Sequence, residues 1–531
     1  MQSSSTCRSA APSRTRQIRL ALDAVGRVLR NSVLCVAIGW LCGYCFTLGN
    51  LFAGQSPGQQ SIASFSAANI GWFWGIFSAC MITIMSTKLL PEQFVDIAGT
   101  RVGSVDFTTN SHRKLNLPQC IQKVVVPMTP HLALAAVGAV GGDFVVYSLM
   151  PTGWRCFKPI LYISAFWGFY ILVVADVYAR RIFQTETVRG LTRRQVDHEK
   201  RHRWYWPPSF DQILRVYRHN LPLMAFPLIA IVYVHVHSQF IGGTGRWGLL
   251  AFACISIILR LMLQELAKHL MLAMRRPVPR RYMVALVSTP TILVDTQVRM
   301  LLLQQDNVNV SVAGTVLFAV FEVIVRVVKS VIAERQTRGP PLDLSRRRST
   351  SANLPRVFKP DHKTKSVQVL PAAKAKPTDR EVGETKTRSR HNSMELTSAE
   401  VEERRRKRRI LHAAEIYADM YAEYIALGCS YAILFFYRSH PQFEFTIFLT
   451  ESSDQASSST AGDAMSQEQS LMLLGSLQMS VEVVVDFLAS ALEAAQGVEF
   501  TSINQNDPFL IFFLAMLTFS NVAISAGMYM R

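Results

Sequence analysis

TSAEVEERRRKRRILHAAEIYADMYAEYIALGCSYAILFFY, residues 397–437, carries a helix start, a cluster of positive charge, a set of spaced acids and an apolar finish. Thr397 and Glu400 are placed to satisfy each other's end of a first helical turn. Arg404 to Arg409 follow, with Lys407 among them, and the apolar run closes on Ala432 to Phe436. Glu415, Asp419 and Glu423 recur every four residues, so a helix sets them on one face with His412 beside them. An arginine cluster abutting an apolar helix marks a cytosolic membrane edge, and acids within such a helix need a partner inside a bundle. The stretch therefore predicts an all-α, polytopic integral membrane bundle, with function where the acids lie.

Composition agrees. Half of the 531 residues are hydrophobic and 18% are charged, against roughly 25% charged in soluble domains. The formal charge of +19 sits beside and between apolar segments, where it reads as membrane topology and as contact with anionic lipid. No zinc-finger spacing or RNA-binding signature accompanies it, so nucleic acid is not expected as a partner. Cys42 and Cys45 have redox-like spacing but fall inside an expected span with no second pair, which makes them small buried thiols.

Windows of about 20 residues divide the chain as follows. Residues 1–31 are a basic cytosolic leader, and 32–333 hold about eight membrane helices. Residues 334–397 are a disordered basic linker, 398–437 a long helix that begins cytosolic and then crosses, 438–470 a Ser-rich outer loop, and 471–531 the last two membrane helices. The expected spans are Ser32–Ala53, Asn69–Lys88, His131–Met150, Pro159–Tyr178, Leu221–Phe240, Trp247–Leu270, Met283–Leu303, Val308–Ile332, Ile416–Tyr437, Leu471–Leu492 and Pro508–Met530, about eleven in all. Arg and Lys alternate with them. The leader and the loops holding Arg113–Lys114, Arg180–Arg181, Arg193–Arg194 and Arg275 to Arg281 fall on one side, which places the N-terminus in the cytosol. Glu493 to Asp507 holds no basic residue, so Leu471–Leu492 either spans or re-enters, and the side of the C-terminus stays open.

Smaller signals fit the same frame. Trp72 and Trp74 are expected at an interface, and Gly71/Gly75 and Gly138/Gly142 have the spacing that lets helices approach closely. In the linker, Ser349 and Ser393 follow arginines and are candidate phosphorylation sites, where phosphate would weaken the hold of a basic segment on anionic lipid.

The acids sort by their neighbours. Asp295 with Arg299, Glu322 with Arg326, Asp176 with Arg180 and Glu265 with Lys268 can pair along their own helices. Asp143, Glu423, Glu482 and Asp486 have no such neighbour. A charge at a helix centre costs about 2.5–3.5 kcal/mol and an apolar residue returns only about 0.3–0.6, so these four require a proton, a cation or an arginine from another helix. Glu423 should lie about 10 Å from the cytosolic edge, Glu482 and Asp486 roughly 14 and 8 Å, one shared layer; Asp143 lies nearer the outer side. Two functions follow. In one, Glu423, Glu482 and Asp486, with Asp143 as a secondary site, carry a proton or cation for a coupled transporter or channel. In the other, the bundle is a membrane scaffold or signalling protein that works through its basic linker. His412, Glu415 and Asp419 do not close a metal shell from one helix, and no nucleophile, phosphate-loop or zinc motif appears, so neither an enzyme nor a cofactor is expected.

Overall fold

The computed structural model describes residues 14–95, 112–149, 158–196, 210–240, 246–273, 280–303, 320, 323–329, 331–332, 382–443, 461–495 and 507–530. Helices dominate: α1 (Arg14–Leu48), α2 (Ile62–Thr87), α3 (Leu117–Leu149), α4 (Pro159–Glu186), α5 (Val188–Val196), α6 (Phe210–Phe240), α7 (Arg246–Ala273), α8 (Arg280–Leu303), α9 (Val382–Tyr437), α10 (Ala461–Ala495) and α11 (Pro508–Tyr529). A hairpin of β1 (Gln93–Val95) and β2 (His112–Lys114) joins α2 to α3. The chain divides into two compact units, Met1–Ile324 with Ala413–Arg531, and Val325–His412. In the second unit the N-terminal part of α9 exposes Glu403, Arg406 and Arg408. The rest of the fold belongs to the first.

Seven stretches among the described residues are long and apolar enough to cross a membrane: Ile18–Ala53, Ile62–Thr87, Leu117–Leu149, Leu161–Glu186, Arg406–Tyr437, Met472–Ala494 and Pro508–Tyr529. The expected spans Leu221–Phe240, Trp247–Leu270 and Met283–Leu303 form α6, α7 and α8, but these fall short of uninterrupted apolarity. In α6 the apolar part is Ala225–Val236; α7 carries Arg260, Gln264, Glu265 and Lys268, and α8 carries Asp295, Gln297 and Arg299. Most of Val308–Ile332 lies outside the described residues.

Two boundaries move. α9 starts at Val382 rather than at the Thr397 cap, so the end of the expected linker is helical, in keeping with its helix-favouring Glu384, Lys386, Arg388 and Glu395. α10 starts at Ala461, inside the expected outer loop.

α8 is the axis of the bundle. Every residue from Met283 to Met300 is buried, although several are polar, because its hydroxyls bond back to their own helix: Thr289 to the Ala285 carbonyl at 2.6 Å, Thr291 to Val287 at 2.9 Å and Thr296 to Ile292 at 2.7 Å. A helix whose polar groups are satisfied internally can sit in an apolar interior. α7 and α8 pack side by side, α6 and α11 also flank α8, and α1 lies along α10 and α11. α9 is buried without a break from Ala413 to Ser430. It meets α1 through Asn31 Nδ2, which donates to the Tyr421 hydroxyl (3.1 Å), and Trp40 Nε1, which donates to the Gly428 carbonyl (3.1 Å).

Gly138 and Gly142 act as expected: a Cβ on either would meet Trp167 or Ile163 of α4 at 2.1 or 3.1 Å. Gly71 and Gly75 face open space. Trp74 is buried at 4% exposure and Trp72 is on the surface, so the two neighbours do not form one interfacial pair.

Polarity is arranged from the inside out. On α7 the outward face is Ile255, Ile258, Met262 and Leu266, all exposed, while Arg260, Gln264 and Ala267 are turned in. A soluble helix shows the reverse. The fold is compatible with a multi-pass membrane protein, whose apolar rim faces lipid while its polar groups satisfy one another.

The two ends differ. At one, Lys88, Arg180 and Asn220 converge on Asp176, Arg189 pairs with Glu92, and Arg281 pairs with Asp507 at the start of α11. At the other, Gln442 donates to the Gln60 and Pro57 carbonyls, Phe443 bridges Met530, and Lys158 donates to the Met530 carbonyl. α10 runs antiparallel to α9, since Gly475 packs on Tyr431 and Ser490 on Met420. It therefore extends the length of the bundle, and the end of α11 lies beside Phe443.

His440 belongs to that second end. Its Nδ1 accepts from the Gln442 N–H (3.3 Å) while Nε2 faces the Thr47 carbonyl (3.1 Å), which fixes a neutral ring. Burial pushes its pKa below the ordinary histidine value, against the pull of the Thr47 bond. The unfolded chain then takes up the proton first, so stability is present above the ordinary histidine pKa and is lost as pH falls through the folded value. Melting temperature should drop between about pH 7.5 and pH 5.5, and His440→Gln should flatten that drop; an unchanged slope would show that other groups set it.

Candidate functional site

The acids of α9 face α7, and the register is simple. Glu415 receives both contacts of Lys268 Nζ at 3.0 Å. One turn on, Asp419 accepts from Gln264 Nε2 at 2.6 Å, and the same amide donates to the Thr291 hydroxyl of α8 at 3.2 Å. One more turn on, Glu423 meets Arg260 at 3.3 Å. Helices repeat a face about every four residues, so stripes at 260, 264, 268 and at 423, 419, 415 zip together only if the helices run antiparallel.

Arg260 is the junction of this ladder. Besides Glu423 it reaches Asp295 of α8 at 2.9 Å and Asp419 at 3.6 Å, so one guanidinium is shared by three carboxylates on two helices. Its planar fork of donors suits that role, which a lysine could not fill. The next rung is Arg299 of α8, paired to Glu482 of α10 at 2.6 Å with both side chains 2% exposed. Four rungs at about 6 Å make a polar column of roughly 18 Å, more than half of a hydrocarbon core of about 30 Å.

The expected site residues are partly brought together. Glu423 and Glu482 both belong to the column. Asp486 is buried on α10, and the antiparallel contacts 420 with 490 and 431 with 475 set it level with Glu423. Asp143 stands apart. It is fully buried on α3, which packs on α2 and α4, and its Oδ1 accepts from Ser66 of α2 at 2.8 Å. Ser349 lies outside the described residues, and Ser393 falls on the helical backbone of α9.

Same-helix spacing is not the whole account at α8. Asp295 and Arg299 are four apart, and ion pairs also run between helices, Asp295 to Arg260 and Arg299 to Glu482. The arginine from another helix that meets Glu423 is Arg260, while Arg299, set aside as a local pair, holds α10. Asp176 with Arg180 (2.8 Å) and Glu265 with Lys268 do form along their helices, but Asp176 also takes Lys88 at 3.1 Å and Lys268 also takes Glu415. Glu322 lies outside the described residues. Sequence reasoning missed the role of Gln264 and the pairing of Lys268 with Glu415. Their signal was the match of two four-residue stripes of complementary polarity, 260/264/268 and 415/419/423.

Chemically, the column can hold its charges only as a set. An isolated charge in low dielectric is costly, whereas paired charges with further hydrogen bonds are tolerated. Around Arg260, carboxylates from two helices converge on one guanidinium. The chain matches no protein-family model, no curated protein and no solved structure.

Proposed function

We propose that this is a multi-pass membrane protein that moves protons in exchange for, or together with, a small solute, and that Asp295, Asp419 and Glu423 around Arg260 hold the transported proton. The observation that carries the reading is that shared guanidinium: three buried carboxylates within 3.6 Å of one Arg on α7. A proton is favoured over a metal cation because Arg260 already occupies the centre where a cation would sit. Glu482 and Asp486 belong to the same layer and tune its charge, and Asp143, bonded to Ser66, is a second proton site nearer the opposite end. The basic end, where Lys88, Arg180, Arg189 and Arg281 gather, faces the cytosol with the N-terminus.

The test is proton flux into vesicles reconstituted with the full chain, read by a trapped pH-sensitive dye under an imposed gradient. Glu423→Gln should lower flux at least about tenfold, the effect of about 1.4 kcal/mol on a barrier, while the protein stays folded. Equal flux in wild type and variant would remove Glu423 from the path. The competing scaffold reading draws on Arg406 and Arg408, exposed on α9; it expects no flux in either protein and loss of binding to anionic vesicles when both arginines become Gln.

A further inference from the structure

α8 has two working faces. Thr291, Asp295 and Arg299 look to the charged column, where they meet Gln264, Arg260 and Glu482. Thr289, Ile292 and Leu293 look the other way, into a cavity of about 180 Å³ that is partly open at the surface. Phe73, Phe77, Phe169 and Phe513 supply much of its wall, from α2, α4 and α11. No charged side chain lines it among the described residues.

The polar atoms in this apolar wall are few. Asn521 is 1% exposed, and its Oδ1 has no hydrogen-bond partner among the described residues; the same holds for Asn69 Oδ1 and Ser520 Oγ, and all three residues line the cavity. The orientation of Asn521 is fixed chemically. Thr296 spends its hydroxyl proton on the Ile292 carbonyl (2.7 Å), so its oxygen can only accept from Asn521, at 2.6 Å, and that contact must be the amide nitrogen. The amide oxygen is thereby turned away from α8 as an acceptor. A buried oxygen left without a donor costs about 1–3 kcal/mol, and a donor on a bound molecule restores it.

We infer that this cavity is a binding site for a neutral, largely apolar small molecule, aromatic or alicyclic, that carries a hydroxyl or N–H donor for Asn521 Oδ1. Size sets the scale: a cavity of about 150 Å³ lined by Leu, Ile and Phe takes benzene, and this one is about 180 Å³ and partly open at the surface, so a second fused ring can extend toward the opening. The absence of charge from the lining selects a neutral molecule, aromatic walls favour flat faces, and the Asn521 Oδ1 acceptor selects a donor. The site stands on the cavity alone and goes beyond proton movement. α8 separates it from the column, and Thr296, which holds Asn521, is the neighbour of Asp295.

Naphthol and methylnaphthalene are the probes, matched in shape and differing in the donor. Binding to the full chain in lipid nanodiscs is measured by titration, with protein-free nanodiscs as the partition control. Wild type should bind naphthol saturably and at least about tenfold tighter than methylnaphthalene, or about 1.4 kcal/mol. Asn521→Leu should narrow that gap to within about threefold. Because Asn521 also holds Thr296, a second variant, Ala165→Phe, fills the cavity from the α4 wall while leaving Asn521 in place, and it should abolish both. Equal affinity for the two probes in wild type overturns the donor requirement, and naphthol binding undiminished in Ala165→Phe overturns the site. Loss of proton flux with naphthol binding intact, or the converse, shows which of the two readings fails.

Discussion

Replacing Arg299 by Leu should cost about 3–5 kcal/mol of fold stability, and replacing Glu482 by Leu in the same chain should return most of it. Arg299 and Glu482 meet at 2.6 Å with 2% exposure on each side, so the pair lies where water does not reach. Truncating one removes that pairing from a desolvated charge, which is where the cost arises. Removing both replaces a desolvated pair by apolar contact beside Leu303, Leu434 and Leu474, the cluster that continues from this rung. Unfolding of the purified protein in mixed micelles by increasing denaturing detergent would give the four corners of the cycle. If the double variant is no more stable than Arg299→Leu, this pair is not what fastens α10 to α8.

Gly428→Leu should destabilise by about 1–3 kcal/mol, the usual cost of overfilling a packed core. A Cβ at this position would lie 2.4 and 2.5 Å from the two Val36 methyl carbons of α1. Val36 is branched at Cβ and has one favoured rotamer in a helix, so it cannot swing aside, and the helices must separate. Separation would also strain the bond from Trp40 to the Gly428 carbonyl, 3.1 Å long. Val36→Ala should relieve Gly428→Ala. Gly71→Ala is the control: nothing lies within 4 Å of its added methyl, and a better helix former there should be neutral or stabilising by up to about 1 kcal/mol. Equal losses at Gly428 and Gly71 would mean that helix propensity rather than close approach governs both.

Legibility in the sequence differed from element to element for physical reasons. Glycine spacing alone could not separate Gly138/Gly142 from Gly71/Gly75, because what matters is whether another helix arrives, and Trp167 and Ile163 arrive only at the first pair. The hydropathy of α7 and α8 is diluted by charges that pair across helices, so apolarity along one segment understates how well each is buried. Periodicity is a local property and reads well; partner choice is set by chain crossings far apart in sequence.

From the sequence by itself came the all-α class, the apolar helices suited to a membrane, the one-face alignment of Glu415, Asp419 and Glu423, and the need of Glu423 and Glu482 for partners on other helices. All of these follow from side-chain period and from the cost of charge in an apolar medium. Tertiary structure alone decided that the partners are Arg260 and Arg299, that Asp295 turns to Arg260, that Asp143 is held by Ser66 apart from the column, and that a neutral cavity lies behind α8. Those outcomes depend on which helix faces meet, and a long-range contact is fixed by packing of the whole bundle rather than by neighbours along the chain.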